Sequence, residues 1–156
     1  MKCLIIYDSA YGNTEEIADA MAQAVGCEYV LVEDTEPVEL EGFDFIMVGS
    51  PTQGGRPTRA IYEFLKSIPN DGLKGKSVAA FDTRLASTKP GFSSRIINIL
   101  GFAAPRIANI LKAKGGRLID LPEGFIVKDR EGPLNSDELS RAAAWARKIT
   151  APQLVR

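Results

Sequence analysis

Short continuous apolar runs bounded by turn residues occur five times along the chain: Cys3 to Tyr7, Tyr29 to Val32, Phe43 to Val48, Val78 to Phe81, and a last run broken across Leu118 to Val127. Runs of this length without alternation mark strands buried on both faces. Between them the period changes. Ile61, Phe64, Leu65 and Ile68 stand at i, i+3, i+4 and i+7, with Pro57 near the first turn, and predict an amphipathic helix. Ile17, Ala20, Met21 and Ala24 predict another. Leu139, Ala142, Ala143, Ala146 and Ile149 predict a final covering helix that opens with the acids Asp137 and Glu138. Ser93 to Lys114 also has helical period, but Gly101 and Pro105 interrupt it and predict two pieces or a kink. Glu33 to Gly42, rich in acids and containing Pro37, reads as a short or irregular crossover. Strand and helix thus alternate, which implies one doubly wound α/β domain, 1–156, with a five-stranded parallel sheet and helices on both faces.

Composition adds limits. The 156 residues are 45% hydrophobic and 25% charged, with no apolar stretch long enough for a membrane span. The apolar run after Lys2 is too short for a signal-peptide core and meets Asp8 rather than a cleavage site, which points to the cytoplasm. Cys3 and Cys27 both fall in expected strands, form no metal-type cluster and read as small buried hydrophobes. Histidine is absent, which removes the commonest general base and metal ligand and argues against hydrolytic triads and zinc sites. The net charge of −1 conceals an asymmetry. Residues 1–50 hold eleven Asp/Glu against Lys2 alone, and residues 51–156 hold eighteen Lys/Arg against nine Asp/Glu, or −10 and +9. No aromatic-interleaved basic stripe accompanies the positive half, so it reads as solvated surface rather than a nucleic-acid site.

Open parallel sheets bind ligands beyond the carboxyl ends of their strands, which directs attention to the loops after strands one, three and four. The first of these, Asp8-Ser9-Ala10-Tyr11-Gly12-Asn13-Thr14, leads straight into helix one. Unpaired amides at the helix start, roughly half a positive charge from the aligned peptides, and the hydroxyls of Ser9, Tyr11 and Thr14 together suit an anion. Gly12 lets the backbone approach closely. The same residues would also serve simply to cap the helix. Neither the Gly-Lys-Ser/Thr of a P-loop nor the Gly-x-Gly-x-x-Gly of a dinucleotide fold is spelled out.

Ser9-Ala10-Tyr11-Gly12-Asn13-Thr14 resembles the phosphate-binding motif of flavodoxins, in the same place after strand one. The likeness extends over nearly the whole chain, through Val48-Gly49-Ser50-Pro51-Thr52-Gln53-Gly54-Gly55, Phe81-Asp82-Thr83-Arg84 and Glu131-Gly132-Pro133-Leu134. It implies strand order 2-1-3-4-5 with the cofactor at the switch between strands one and three, a topology carried over from flavodoxins, which exemplify the rule. It also implies one FMN, its phosphate held by Ser9, Ala10, Tyr11, Gly12, Asn13 and Thr14. Pro51, Thr52, Gln53, Gly54 and Gly55, with Asp82, Thr83 and Arg84, would flank the isoalloxazine. Gly54-Gly55 can turn a carbonyl toward the flavin edge because glycine accepts positive φ, although an ordinary Gly-Gly turn reads the same way. Asp82 and Arg84 would alternatively form a surface ion pair worth little.

Two features depart from the familiar carriers of that family. No Trp or Tyr occurs in Gly49 to Arg56 or Asp82 to Gly91 to sandwich the ring, and Trp145 reads as a helix-packing residue. Arg56, Arg59, Arg84 and Lys89 place positive charge on the flavin side, where those carriers are acidic. With no long insertion between Leu118 and Val127, the chain resembles the short-chain type. The implied function is FMN-binding electron transfer between redox partner proteins, a reductase as donor and an acceptor enzyme, with no nucleic-acid or membrane partner, no metal, and no catalytic residue of the protein's own. The alternative is an FMN-dependent NAD(P)H or quinone reductase of the same fold, which needs a second pocket against the flavin and often a longer chain. A signalling receiver domain shares the strand order but needs an aspartate after strand three, where Gly49-Ser50 stands.

Overall fold

In the computed structural model, which describes residues 1–86 and 101–154, β1 (Cys3–Tyr7) lies between β2 (Glu28–Leu31) and β3 (Phe45–Pro51). β4 (Ser77–Leu85) follows β3, and all pairings are parallel. The fifth position is shared by β5 (Arg117–Leu118) and β6 (Glu123–Val127), which both pair with β4. The order is therefore 2-1-3-4-5, with the last run broken as its sequence suggests. Pro122 cannot donate to a ladder. Asp120 organises the break, accepting the Leu121 amide at 2.8 Å and the Trp145 indole at 3.3 Å and pairing with Lys148 at 3.1 Å.

Side chains alternate across each strand. Leu4, Ile6, Ile46, Val48, Val78 and Ala80 pack on one face with α2 (Arg59–Ser67) and α3 (Ala103–Ala113). Ile5, Tyr7, Phe45, Met47, Ala79 and Phe81 pack on the other with residues of α1 (Asn13–Val25) and α4 (Glu138–Thr150). Because helices cover both faces, hydrophobicity runs unbroken along the central strands. Glu33 to Gly42 forms short 3-10 turns, as an irregular crossover should. No helix among the described residues is long and apolar enough to cross a membrane.

Gly49 permits one close approach that fixes the sheet beneath its carboxyl edge. A Cβ at Gly49 would lie 2.1 Å from the Phe81 ring. That ring is fully buried, with Phe125 and Trp145 set against it edge-on at 6.3 and 6.4 Å, so it has no room to withdraw. Gly49→Ala should therefore destabilise by about 1–3 kcal/mol, the usual penalty for overpacking. Urea unfolding of the variant checks this, and an unchanged midpoint would mean the ring can move aside.

The structure corrects four expectations. The cysteines are not separate hydrophobes: the register that pairs Leu4 with Glu28 sets Cys3 beside Cys27, just ahead of β2, and the two form a disulfide. Asp82, Thr83 and Arg84 belong to β4 rather than to a loop after it, because pairing continues to Pro51 opposite Thr83 on β3 and to Val127 opposite Leu85 on β6. Pro105 does not interrupt α3, since it sits in the first turn, where no amide is required. Leu139 is 44% exposed. Its neighbour Glu138 takes the inward place, accepting the Ile126 amide and pairing with Arg141, both at 2.7 Å, and the Arg141 guanidinium holds its carboxyl below the ordinary range. Lys89 and the opening of the Ser93 to Lys114 segment lie outside the described residues.

Candidate functional site

A hollow of about 480 Å³ opens at the carboxyl edge of the sheet, above β1, β3 and β4. Its first wall is the turn from β1 into α1. The Asp8 carboxylate accepts the Ser9 amide at 2.9 Å, and Ser9 Oγ accepts the Gly12 amide at 3.0 Å, so the Ser9 hydroxyl keeps its proton for another acceptor. Gly12 has φ +91°, a conformation that glycine adopts without strain, and α1 starts there with no side chain capping its first amides. Thr14, in the first turn of α1, is buried, and its Oγ1 lies 2.8 Å from Thr83 Oγ1 of β4. One hydroxyl donates to the other, which leaves one hydrogen of the pair for a ligand. Asn13 donates to the Glu131 carbonyl at 3.2 Å and so ties this turn to the one beyond β6.

The second wall is the end of β3. Gln53 and Arg56 exchange backbone hydrogen bonds of 2.8 and 3.1 Å around Gly54 (φ +57°) and Gly55 (φ +78°). Two left-handed central residues in a two-residue turn are the type I′ arrangement, for which glycine is suited. Thr52 is held by backbone and side chain: its amide donates to the Thr83 carbonyl at 2.9 Å, and its hydroxyl oxygen accepts the Ala103 amide at 3.0 Å.

Along β4, alternation sends Thr83 to the α1 face and Asp82 to the α3 face. Asp82 is completely buried and Arg84 is 8% exposed. Their bidentate pair, 2.7 and 2.8 Å, is thus an interior feature and not the surface pair that the sequence allowed. Asp82 also accepts the Ala104 amide at 2.9 Å, so it and Thr52 together satisfy the start of α3. Burial pushes the Asp82 carboxyl above the ordinary range, although Arg84, the Ala104 amide and the Thr52 hydroxyl pull it back. Phe102 covers the Arg84 guanidinium 3.7 Å from its ring centre, and Gly124 leaves the guanidinium its space: a Cβ there would lie 2.2 Å from it.

Of the residues singled out in the sequence, Ser9, Ala10, Tyr11, Asn13, Thr14, Pro51, Thr52, Gln53, Gly54, Thr83 and Arg84 line the hollow. Gly12, Gly55 and Asp82 do not; they shape the two turns and anchor α3. Leu85, Val127 and Arg130 complete the lining without having been singled out. Val127 ends β6 at the carboxyl edge, so extending the strand-end rule to the fifth strand would have found it and the turn that carries Arg130. Arg56 and Arg59 face a neighbouring groove instead of this hollow.

Residues 4–121 match the family model described as the flavodoxin domain. A flavodoxin from Maridesulfovibrio salexigens is 34% identical over 89 residues, which cover 51% of this chain and 61% of that one. An NAD(P)H dehydrogenase (quinone) from Acidovorax ebreus is 27% identical over 173 residues, 92% of this chain and 80% of that one. Several other curated relatives are matched over only 15% to 50% of their own length. A flavodoxin structure from the domain Archaea superposes with a TM-score of 0.78 over 97% of this chain and 98% of that one; at 21% identity it bears on the fold alone. The family match takes in the ends of β1, β3 and β4 at the hollow, and the chain belongs to the flavodoxin domain family.

Proposed function

We propose that this protein holds one FMN in the hollow and passes electrons between redox partner proteins, a reductase as donor and an acceptor enzyme, in the cytoplasm. The observation that carries the reading is the donor set at its head: an uncapped helix start beside the hydroxyls of Ser9, Thr14 and Thr83, with no lysine in the loop. That set suits a phosphate monoester. Ser9, Ala10, Tyr11, Asn13 and Thr14 would hold the phosphate. Pro51, Thr52, Gln53, Gly54, Thr83 and Arg84, with Leu85 and Val127, would border the ring system. FMN supplies one- and two-electron chemistry when bound, and the protein binds it, orients it and sets the charge around it. Gly12, Gly55 and Asp82 act one step behind, by fixing the loops.

Titration of apo-protein with FMN and FAD tests the reading. One loop offers one monophosphate site, so FMN should bind more tightly, and equal or tighter FAD would overturn the assignment. Thr14→Ala should weaken FMN by about ten- to a hundredfold while changing riboflavin much less, since the lost charge-assisted bond of about 1.5–3 kcal/mol goes only to the phosphate. An equal loss for both flavins would move the phosphate elsewhere.

The Acidovorax relative, matched over most of both chains, favours a second reading as an FMN-dependent NAD(P)H or quinone reductase. Turnover of NAD(P)H with a quinone, without an added reductase, separates the two. The carrier reading expects less than about one turnover per second, near the low end of common enzyme rates.

A further inference from the structure

A second hollow, about 580 Å³, lies between α2 and α3 and shares Gln53 with the first. Arginines reach it from three elements: Arg56 closing the Gly54-Gly55 turn, Arg59 at the start of α2 and Arg106 near the start of α3. Arg59 shares its charge with Glu63 in an exposed pair at 2.8 Å, an arrangement worth little and easily redirected. Arg56 and Arg106 are exposed and form no salt bridge among the described residues. Arg56 and Arg106 thus bring two cations without a salt-bridge partner among the described residues to one concavity, with Arg59 beside them, and the forked donors of arginine match phosphate oxygens. The volume falls within the usual range of small-ligand pockets, roughly 300–1,000 Å³.

The remaining lining says what the phosphate is attached to. Tyr62, 47% exposed with the Lys66 ammonium 5.9 Å from its ring centre, offers a ring on which a base can stack once that side chain swings aside, and Lys66 adds a further cation near the groove. Gln53 and Asn109 offer carboxamides, the groups that bond adenine with donor and acceptor together. We propose that the groove between α2 and α3 binds a phosphorylated adenine nucleotide, with phosphates on Arg56 and Arg106 and the base against Tyr62. The proposal concerns binding alone and does not rest on the FMN reading.

Calorimetric titration of the full chain, with and without FMN present, by ADP, adenosine and pyrophosphate tests it. ADP should bind saturably at one site, and adenosine at least about tenfold more weakly. The double variant Arg56→Gln/Arg106→Gln should lose at least about tenfold for ADP with its FMN titration unchanged. Tyr62→Ala should weaken ADP but not pyrophosphate. Absence of saturable ADP binding, displacement of ADP by FMN, or ADP binding unchanged in the double variant would overturn the proposal. So would pyrophosphate binding as tightly as ADP with no effect of Tyr62→Ala, which would make the groove a plain anion patch of the kind an acidic protein surface would meet.

Discussion

Arg84→Gln is expected to destabilise the protein by about 3–5 kcal/mol at neutral pH, the range seen when one partner of a buried ion pair is removed. Asp82 has no exposure to solvent, and glutamine can donate a hydrogen bond but cannot balance its charge. Burial already holds the Asp82 carboxyl high, with Arg84 prominent among the groups that lower it. In the variant the folded-state pKa rises further, whereas the unfolded value stays near the usual ~3.9. An acid raised in this way binds more protons folded than unfolded, so stability falls as pH rises through the folded pKa and returns as pH falls. Urea unfolding of the variant at pH 8 and pH 5 should show the loss shrinking at the lower pH. Adding Asp82→Asn should restore most of the stability. A small loss, or one that is equal at both pH values, would mean that Asp82 does not depend on Arg84 for its charge balance as its burial implies. Arg84→Gln is accordingly a poor probe of charge beside the cofactor, because it also strips the counter-charge from the Asp82 carboxylate that anchors the start of α3. Arg130, on the turn that rims the hollow, is the cleaner site for changing charge beside the cofactor.

The sequence discloses the sheet well because both faces of its central strands are covered, which writes each strand as an uninterrupted apolar run. The same signal is blind where a strand turns polar. β4 continues through Asp82-Thr83-Arg84 because Asp82 and Arg84 neutralise each other and Thr83 pairs with Thr14, but single-residue hydropathy sees only a loop there. The lining was readable where backbone conformation dictates residue type, at Ser9 to Tyr11, Asn13, Thr14 and Gly54. It was not readable at Leu85, Val127 and Arg130, whose places follow from the pairing of the ends of β4 and β6. Charge was legible only in part. Arg84 does line the hollow, although its charge is balanced by Asp82, whereas Arg56 and Arg59, equally close in the chain to these loops, face the α2–α3 groove.

Removing the disulfide, by Cys27→Ser or by reduction, should lower stability by about 3 kcal/mol. The bridge spans 24 residues, and closing a loop of that size withdraws conformational freedom mainly from the unfolded chain. Cys3 and Cys27 stand 4.9 Å apart at Cα, a span that parallel pairing of β1 and β2 already sets, so the fold itself should persist without the bond. The bridge lies at the amino end of β1, whereas the hollow lies beyond its carboxyl end, and FMN affinity should therefore be unchanged. Unfolding of oxidised protein, reduced protein and the Cys27→Ser variant, each followed with and without flavin, checks both parts. Coincident unfolding of all three would remove the cross-link from the account of stability, and a weakened flavin in the variant would couple the two ends of β1. The outcome also bears on the proposed compartment. Disulfides persist in oxidising surroundings and in some hyperthermophiles, and ordinary cytosol keeps thiols reduced. In such a cytosol the protein would work with an open Cys3/Cys27 pair and the lower of the two stabilities.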